Sequence, residues 1–249
     1  MKLSIIIPCY NELSRGSGSS SFATRLNLLR LNTKELSDTE VIIVDDCSKD
    51  NSVEFINNFI SEHYLSNWKC IRLGKNQGKG YALLEGFKLA KGSYICYIDA
   101  DMSVSPSYIQ TAYKMVNNSD ICVYGTRFGY YSKIVNNRTL NRKFISKITK
   151  LVINILFGLK VSDTQCGFKL FSKSKVENYL SVIYPSRWLL DVELLYIMKI
   201  QGVVFKRIDV EWNNLEQEST LNLTNAMSNC IIDLVKILRL KRVFRGIKY

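Results

Sequence analysis

Two apolar runs in this sequence end abruptly in acids. Tyr94-Ile95-Cys96-Tyr97-Ile98 leads into Asp99-Ala100-Asp101, and Val41-Ile42-Ile43-Val44 leads into Asp45-Asp46. Apolar runs of this length read as buried parallel strands. In open α/β sheets, ligands gather outside the carboxyl ends of the strands. Carboxylates at i and i+2 are hard oxygen ligands, suited to Mg²⁺ or Mn²⁺ carrying a substrate phosphate. A turn or helix cap would use the same residue types, and Asp46 and Asp50 are read as caps. Asp45 is assigned a contact to a base or ribose. A third feature points the same way. Gly74-Lys75-Asn76-Gln77-Gly78-Lys79-Gly80 is a glycine-rich turn ahead of a helical segment, where free N–H groups and the positive dipole end favour an anion. Lys79 would add charge for a diphosphate. The turn lacks the spacing of a Walker A loop.

These groups need a scaffold, and the order of apolar runs supplies one. Strands are expected at 2–7 (ended by Pro8), 41–44, 70–73, 94–98 and 121–124. Helices are expected at about 22–36, 51–63, 80–91 and 106–117. The alternation predicts βαβ units and a mostly parallel sheet. A Gly/Ser-rich loop over 14–21 reads as a flexible surface segment. Beyond Gly125-Thr126-Arg127 the pattern changes. A polar stretch over 128–141 precedes a basic amphipathic helix over 142–158, with Lys143, Lys147 and Lys150 on its polar face. Then come a polar turn from Asp163 to Lys169, a helix beginning at Asp191-Val192-Glu193, and a last strand over 203–211. A further amphipathic helix over 225–245 ends in a cluster of Lys and Arg. The domain reading is a catalytic unit over 1–215 and a basic amphipathic segment over 216–249.

Composition narrows the function. A formal charge of +12 with a pI near 9.3 calls for an anionic partner. The basic residues are spread among carboxylate motifs, without a compact basic patch interleaved with aromatics, so nucleic acid is not the expected partner. Basic amphipathic helices fit an anionic membrane surface. The seven cysteines form no C-x-x-C pair, and Cys9, Cys47, Cys96 and Cys122 read as reduced core residues. His63 is the single histidine, which argues against a histidine-ligated zinc site or a Ser-His-Asp triad. No signal peptide or transmembrane run is recognised. The expected location is cytoplasmic, peripheral on the cytoplasmic face of a membrane.

Taken together, the motifs resemble those of family-2 glycosyltransferases with the GT-A fold, in the branch of the polyprenyl- and dolichyl-phosphate glycosyltransferases. The matching pieces are Ile6-Ile7-Pro8-Cys9-Tyr10-Asn11-Glu12, Ile43-Val44-Asp45-Asp46-Cys47-Ser48, Asn76-Gln77-Gly78-Lys79-Gly80, Asp99-Ala100-Asp101 and Gly125-Thr126-Arg127. The Asp163–Lys169 and Asp191–Leu195 blocks complete them and tilt the resemblance towards the glucosyltransferase-like members. The resemblance implies a three-layer, Rossmann-like α/β fold with helices on both faces of a mostly parallel sheet, followed by C-terminal amphipathic helices. It also implies that Pro8, Tyr10, Asn11, Glu12, Asp45, Lys79, Asp99 and Ala100 hold a nucleotide-sugar, with UDP-glucose favoured. Asp99 and Asp101 would hold the divalent metal, and Arg127 would contact a phosphate. There are departures from the family pattern. Ser103 stands where many relatives carry Gln, Glu218-Ser219-Thr220 lacks the expected lysine, the C-terminal transmembrane helices of many relatives are not seen, and the loop after Glu12 is long.

The implied reaction is an inverting transfer of a sugar from a nucleoside diphosphate to a lipid phosphate. Such an acceptor is already anionic near neutral pH, its second pKa being about 6, and needs little help from a base. It does need cations, and Arg127, Arg138, Arg142 and Lys169 are candidates. A hydroxyl acceptor in cell-wall or surface polysaccharide synthesis is the alternative. It would require a carboxylate base, for which Asp163 is preferred over Asp191 and Glu193.

Overall fold

The structure is a computed structural model. It describes residues 2–15, 18–116, 119–134, 151–184, 189–213, 233–234 and 236–238. In chain order the elements are β1 (Leu3–Cys9), α1 (Ser19–Thr33), β2 (Thr39–Asp45), α2 (Ser52–Glu62), β3 (Trp68–Arg72), α3 (Lys79–Leu89), β4 (Tyr94–Ile98), α4 (Tyr108–Val116), β5 (Ile121–Thr126) and β6 (Lys133–Ile134). They continue with helical residues 151–157 (α5), β7 (Phe168–Ser172), two short 3₁₀ turns, α6 (Leu190–Ile200), β8 (Val204–Asp209) and β9 (Glu211–Trp212).

Alternation along the strands sorts their side chains onto two faces. On β1, Leu3, Ile5, Ile7 and Cys9 enter one apolar layer and Ile6 enters the other; β2 divides Val41 and Ile43 from Ile42 and Val44 in the same way. The first layer is covered by α1, α2 and α4 through Phe22, Leu26, Ile56, Phe59 and Ile109. The second is covered by α3, α5 and α6 through Leu83, Phe87, Ile153, Phe157 and Leu194. The result is the expected three-layer α/β architecture. Helix α3 lies so close to the sheet that a Cβ at Gly86 would fall 2.3 Å from Ile6 Cγ2. That close approach fixes where the helix N-terminus, Lys79, meets the strand ends.

The main sheet has seven strands in the order β3-β2-β1-β4-β7-β5-β8. All its pairings are parallel except those of β7, which runs antiparallel to both β4 and β5. Sequence reading placed only a turn leading into Leu170-Phe171 here. Residues 168–172 instead fill the gap between two strands that are neighbours in sequence, pairing Ile98 with Phe168 and Tyr97 with Lys169.

Several boundaries also differ from expectation. Pro8 does not end β1. The pairing with β4 stops at Ile6–Tyr97, while the pairing with β2 continues to Cys9–Asp45, so Pro8 sits where the strand has a neighbour on one side and its missing N–H costs little. Helix α1 begins at Ser19, inside the stretch read as a Gly/Ser loop. Gly18, at φ 67°, makes the left-handed turn that starts it, and the turn brings Phe22 into the core. The last expected strand is divided into β8, at the sheet edge, and β9, which pairs with β6.

Of the helix expected over 142–158, residues 151–157 are described. Ile153 and Phe157 are buried, whereas Leu151 and Ile155 are exposed. Arg138, Arg142, Lys143, Lys147 and Lys150 lie outside the described residues. Most of 216–249 does too. Within it, Ile237 is fully buried and Leu234 and Leu238 pack against the α3–α6 layer, so these apolar positions face the protein. Among the described residues no helix is long and apolar enough to cross a membrane.

Candidate functional site

The carboxyl ends of β1, β2 and β4 lie along one edge of the sheet, and the backbone is strained there. Asn11, Cys47 and Met102, none of them glycine, adopt positive φ values of 53°, 61° and 48°. Such conformations persist only when their surroundings enforce them. The loops after β1 and β2 are stitched together. Asn11 N–H donates to Ser48 Oγ at 2.8 Å, Lys49 N–H to Asn11 Oδ1 at 2.7 Å, and Ser14 N–H to Asp50 Oδ2 at 3.0 Å. Asp50 also accepts Ser52 N–H at 3.1 Å, but it stands one residue before the α2 N-cap, Asn51, so it braces the loop ahead of the helix instead of capping it. Asp46 does something else: Gln77 and Gly78 N–H donate to its two oxygens at 2.8 and 2.6 Å, so it anchors the glycine-rich turn.

Asp45 is fully buried. Ser48 donates to it through both N–H and hydroxyl, and Arg72 Nε lies 3.9 Å away. Glu12 is also buried, with Arg25 and Arg15 each 3.0 Å from its carboxylate, which ties the β1 loop to α1. Pro8, Tyr10 and Asn11 are half-buried at the same edge, and Ala100 packs in the α1–α4 layer.

Asp99 and Asp101 emerge from β4 as expected. They line a small cleft of about 120 Å³ together with Ser103, Val104, Arg127, Gln165, Gly167 and Trp212. Asp101 Oδ1 accepts Ser103 N–H at 2.9 Å. Burial, and next the charge of Asp99, raise the proton affinity of Asp101. Asp99 lies between two neighbours. Its Oδ1 is 2.6 Å from Lys79 Nζ, and its carboxylate lies over Gly167, where a Cβ would fall 2.1 Å from Oδ2. Burial alone would lower the Lys79 pKa, but Asp99 and then Asp191 outweigh it and raise it. Two converging carboxylates with a shared negative charge, reached by a glycine that leaves them room, are a donor set that fits a hard divalent cation. Among the described residues no group of three metal-binding side chains gathers at one point. The remaining ligands of such an ion would come from substrate and water.

Arg127 follows β5 directly and stands at the cleft wall. Its N–H and Nε donate to Asp163 Oδ2 at 3.1 and 2.7 Å, and Nη2 donates to Oδ1 at 2.9 Å. The guanidinium also sits 6.0 Å from the Trp212 ring centre. Burial would raise the Asp163 pKa; the hydrogen bonds and charge of Arg127 outweigh it and hold the carboxyl below its ordinary range. Both oxygens of Asp163 are thereby engaged.

Lys169, read from the sequence as a cation for an acceptor, is wholly buried. Its Nζ donates to Asp191 Oδ1 at 2.6 Å and to Cys166 O at 3.0 Å, and Tyr97 OH donates to the same Asp191 oxygen. Burial shifts both partners towards neutrality, Asp191 upward and Lys169 downward. Glu193 is fully buried on α6. It accepts Tyr184 N–H at 3.0 Å through Oε1, while Oε2 has no hydrogen-bond partner among the described residues, and burial pushes its pKa up to about 8. Asp191 and Glu193 are therefore interior groups of a helix buried on all sides. Gln165, Gly167, Ser103 and Trp212 line the cleft without having been singled out as ligands. Gln165 and Gly167 had a signal in the Asp163–Lys169 block and Ser103 in its place two residues after Asp101, whereas Trp212 had none.

The fold and the acid pair at the end of β4 can now be set beside known proteins. Residues 4–180 match the family model described as "Glycosyl transferase family 2". The chain belongs to this family. Curated relatives include a dolichyl-phosphate beta-glucosyltransferase of Dictyostelium discoideum, 28% identical over 94% of this chain and 73% of that protein. Another of the same description, from Trichomonas vaginalis, is 31% identical over 97% of this chain and 74% of that one. Among solved structures, a mannosyltransferase from Pyrobaculum calidifontis, in complex with GDP-Man and Mn²⁺, superposes with a TM-score of 0.64 at 16% identity, covering 99% of this chain and 65% of that one. The S. aureus TarS 1-349 structure gives 0.58 at 20%, covering 86% of this chain and 60% of that one. The family-2 chain thus spans about 60% of the length of the TarS structure it matches. At these identities the structures establish the GT-A fold alone.

Proposed function

We propose that this family-2 glycosyltransferase moves glucose from UDP-glucose to a dolichyl-type polyprenyl phosphate. The observation that carries the reading is the cleft at the carboxyl end of β4, which Asp99, Asp101, Arg127 and Gly167 line together. Its support comes from the relatives named dolichyl-phosphate beta-glucosyltransferase, which match nearly the whole chain.

In this reading Asp99 and Asp101 hold Mg²⁺ or Mn²⁺, and a solved neighbour carries Mn²⁺ with its sugar nucleotide. When bound, such an ion offsets the negative charge that develops on the leaving diphosphate. The chain's own groups do the rest. Asp46 takes the Gln77 and Gly78 N–H groups and so fixes the start of α3, whose N-terminus faces the diphosphate. Pro8, Tyr10 and Asn11 form the rim for base and ribose. Glu12 and Asp45, both buried and engaged, shape that rim from within. Arg127, fixed by Asp163, offers a preset positive charge to a phosphate with little reorganisation.

The same pair favours the phosphate acceptor over a hydroxyl. A general base needs a proton affinity near the working pH, and Arg127 lowers that of Asp163. A phosphate needs no base. Residues 1–215 form the catalytic unit in this proposal. The basic residues of 216–249, with the exposed Leu151 and Ile155 of α5, would rest on the cytoplasmic leaflet.

The test uses radiolabelled UDP-glucose with Mn²⁺, offering dolichyl phosphate in one arm and a soluble sugar acceptor in the other. An organic-soluble labelled product from the native chain and none from Asp101→Ala is expected. Product on the soluble acceptor only would overturn the lipid reading, and equal product from Asp101→Ala would overturn the metal assignment.

A further inference from the structure

The Lys79–Asp99 ion pair is unusual in its placement. Lys79 is the first residue of α3, and a cation at a helix N-terminus sits at the unfavourable end of the dipole. What holds it there is acidic. Its Nζ is 2.6 Å from Asp99 Oδ1, and Asp191 and Asp101 add attraction from further away. On its other side the Asp99 carboxylate lies against Gly167. Asp101 has already committed Oδ1 to Ser103 N–H. A divalent ion held by both acids must therefore contend for Asp99 with the ammonium already paired to it. The lysine can yield. Its side chain is one-third exposed and its stem is flexible.

Resting on the donor and metal reading above, we propose that Lys79 is a resident counter-ion of the Asp99–Asp101 pair, one that metal must displace and that the donor diphosphate then receives. The consequence is thermodynamic. Metal alone meets a competing ammonium and its repulsion. Metal together with a nucleoside diphosphate does not, because the diphosphate takes over the lysine. Binding of the two is coupled, and the coupling is reciprocal. The device also spares the apo protein two adjacent carboxylates without a balancing cation, and it makes the site select the metal–nucleotide pair over metal alone.

The test is Mn²⁺ binding to the full chain, followed by loss of the free-ion electron paramagnetic resonance signal, with and without UDP. No turnover is required. Lys79→Met and Lys79→Gln both remove the charge, whereas Lys79→Arg keeps it. Without UDP, the two neutral variants should bind Mn²⁺ about tenfold more tightly than native, the scale expected when a nearby like charge is removed from a partly solvated site; Lys79→Arg should resemble native. UDP should tighten Mn²⁺ binding less in the neutral variants than in native. Unchanged or weaker Mn²⁺ binding by Lys79→Met and Lys79→Gln, with native binding intact, would overturn this inference and leave the proposed function standing. A gain in Lys79→Met alone would assign the effect to apolar packing and also overturn it. No Mn²⁺ binding by native, even with UDP, would overturn this inference and the metal reading together.

Discussion

Replacing Gly167 by alanine separates the site from the scaffold. A Cβ there would lie 2.1 Å from Asp99 Oδ2 and 2.4 Å from its Cγ, whereas ordinary contact begins near 3.4 Å. The carboxylate must therefore retreat by about 1.3 Å, taking with it the oxygen that faces Lys79. The retreat is cheap for the fold, because the atoms that yield are the tip of a side chain that is one-third exposed. Gly167 does not occupy the left-handed region, so alanine adds no backbone strain. Restricting the unfolded chain could even return about 0.4–1 kcal/mol. Chemistry is less tolerant: misplacing a reacting or coordinating group by about 1 Å can cost on the order of 10²-fold in rate. Gly167→Ala should keep its melting temperature within a few degrees of native, bind Mn²⁺ in the presence of UDP markedly more weakly, and transfer glucose about 10²-fold more slowly. Native-like Mn²⁺ binding and transfer in a well-folded variant would refute the placement of Asp99 at the metal. A large loss of melting temperature would refute the premise that its carboxylate is free to move.

Asp191→Ala would leave the Lys169 ammonium buried without its carboxylate, and should cost about 3–5 kcal/mol in denaturant unfolding. The double replacement Lys169→Met/Asp191→Leu should recover much of that. Arg127→Ala strips a buried Asp163 of its counter-ion, so both stability and transfer should fall, whereas Arg127→Ala/Asp163→Ala should regain stability without regaining transfer. Glu193 gives a pH-dependent prediction. Its folded pKa of about 8 lies above the ordinary 4.5, so the stability tied to its proton is complete below pH 4.5 and is lost as pH rises to 8. Glu193→Gln, which has no proton to lose there, should unfold like native at pH 4.5 and at progressively higher denaturant concentration up to pH 8, the gap levelling off above that. Equal midpoints at pH 5 and pH 9 would show that Glu193 is ionised in the fold.

Much of the framework was legible because it rests on local pattern. Runs such as Val41–Val44 and Tyr94–Ile98 can hardly be other than buried strands, and the acids that follow them must leave the core at the strand ends. What the pattern concealed were partnerships across long stretches of chain. Arg127 and Asp163 stand 36 residues apart, and each looked available for substrate when read alone. Lys169 was misjudged for a different reason. In a polar turn a lysine reads as solvated, but its flanking residues, Phe168, Leu170 and Phe171, are all buried in a central strand. A charge inside such a strand must find its partner in the interior, which Asp191 supplies. The same reasoning explains Glu12, which Arg25 reaches from a helix whose start was hidden in serines and glycines.

The antiparallel strand β7 has a consequence for how the molecule is made. A chain leaving the ribosome can pair β1, β2, β3 and β4 in order of synthesis. Yet β4, which carries the acid pair, lacks its second neighbour until Phe168–Ser172 emerges, roughly 70 residues later. At translation speeds of about 5–20 residues per second, the edge of β4 stays open for about 4–14 s. During that time an unpaired apolar strand is a docking place for other chains. Closing it requires β7 to enter between β4 and β5, with a loop-closure cost that local pairings avoid. The strand that completes the cleft is thus also the slow step expected in assembly. Substitutions in β7 should therefore lower the yield of soluble protein during synthesis more than they lower the stability of molecules already folded.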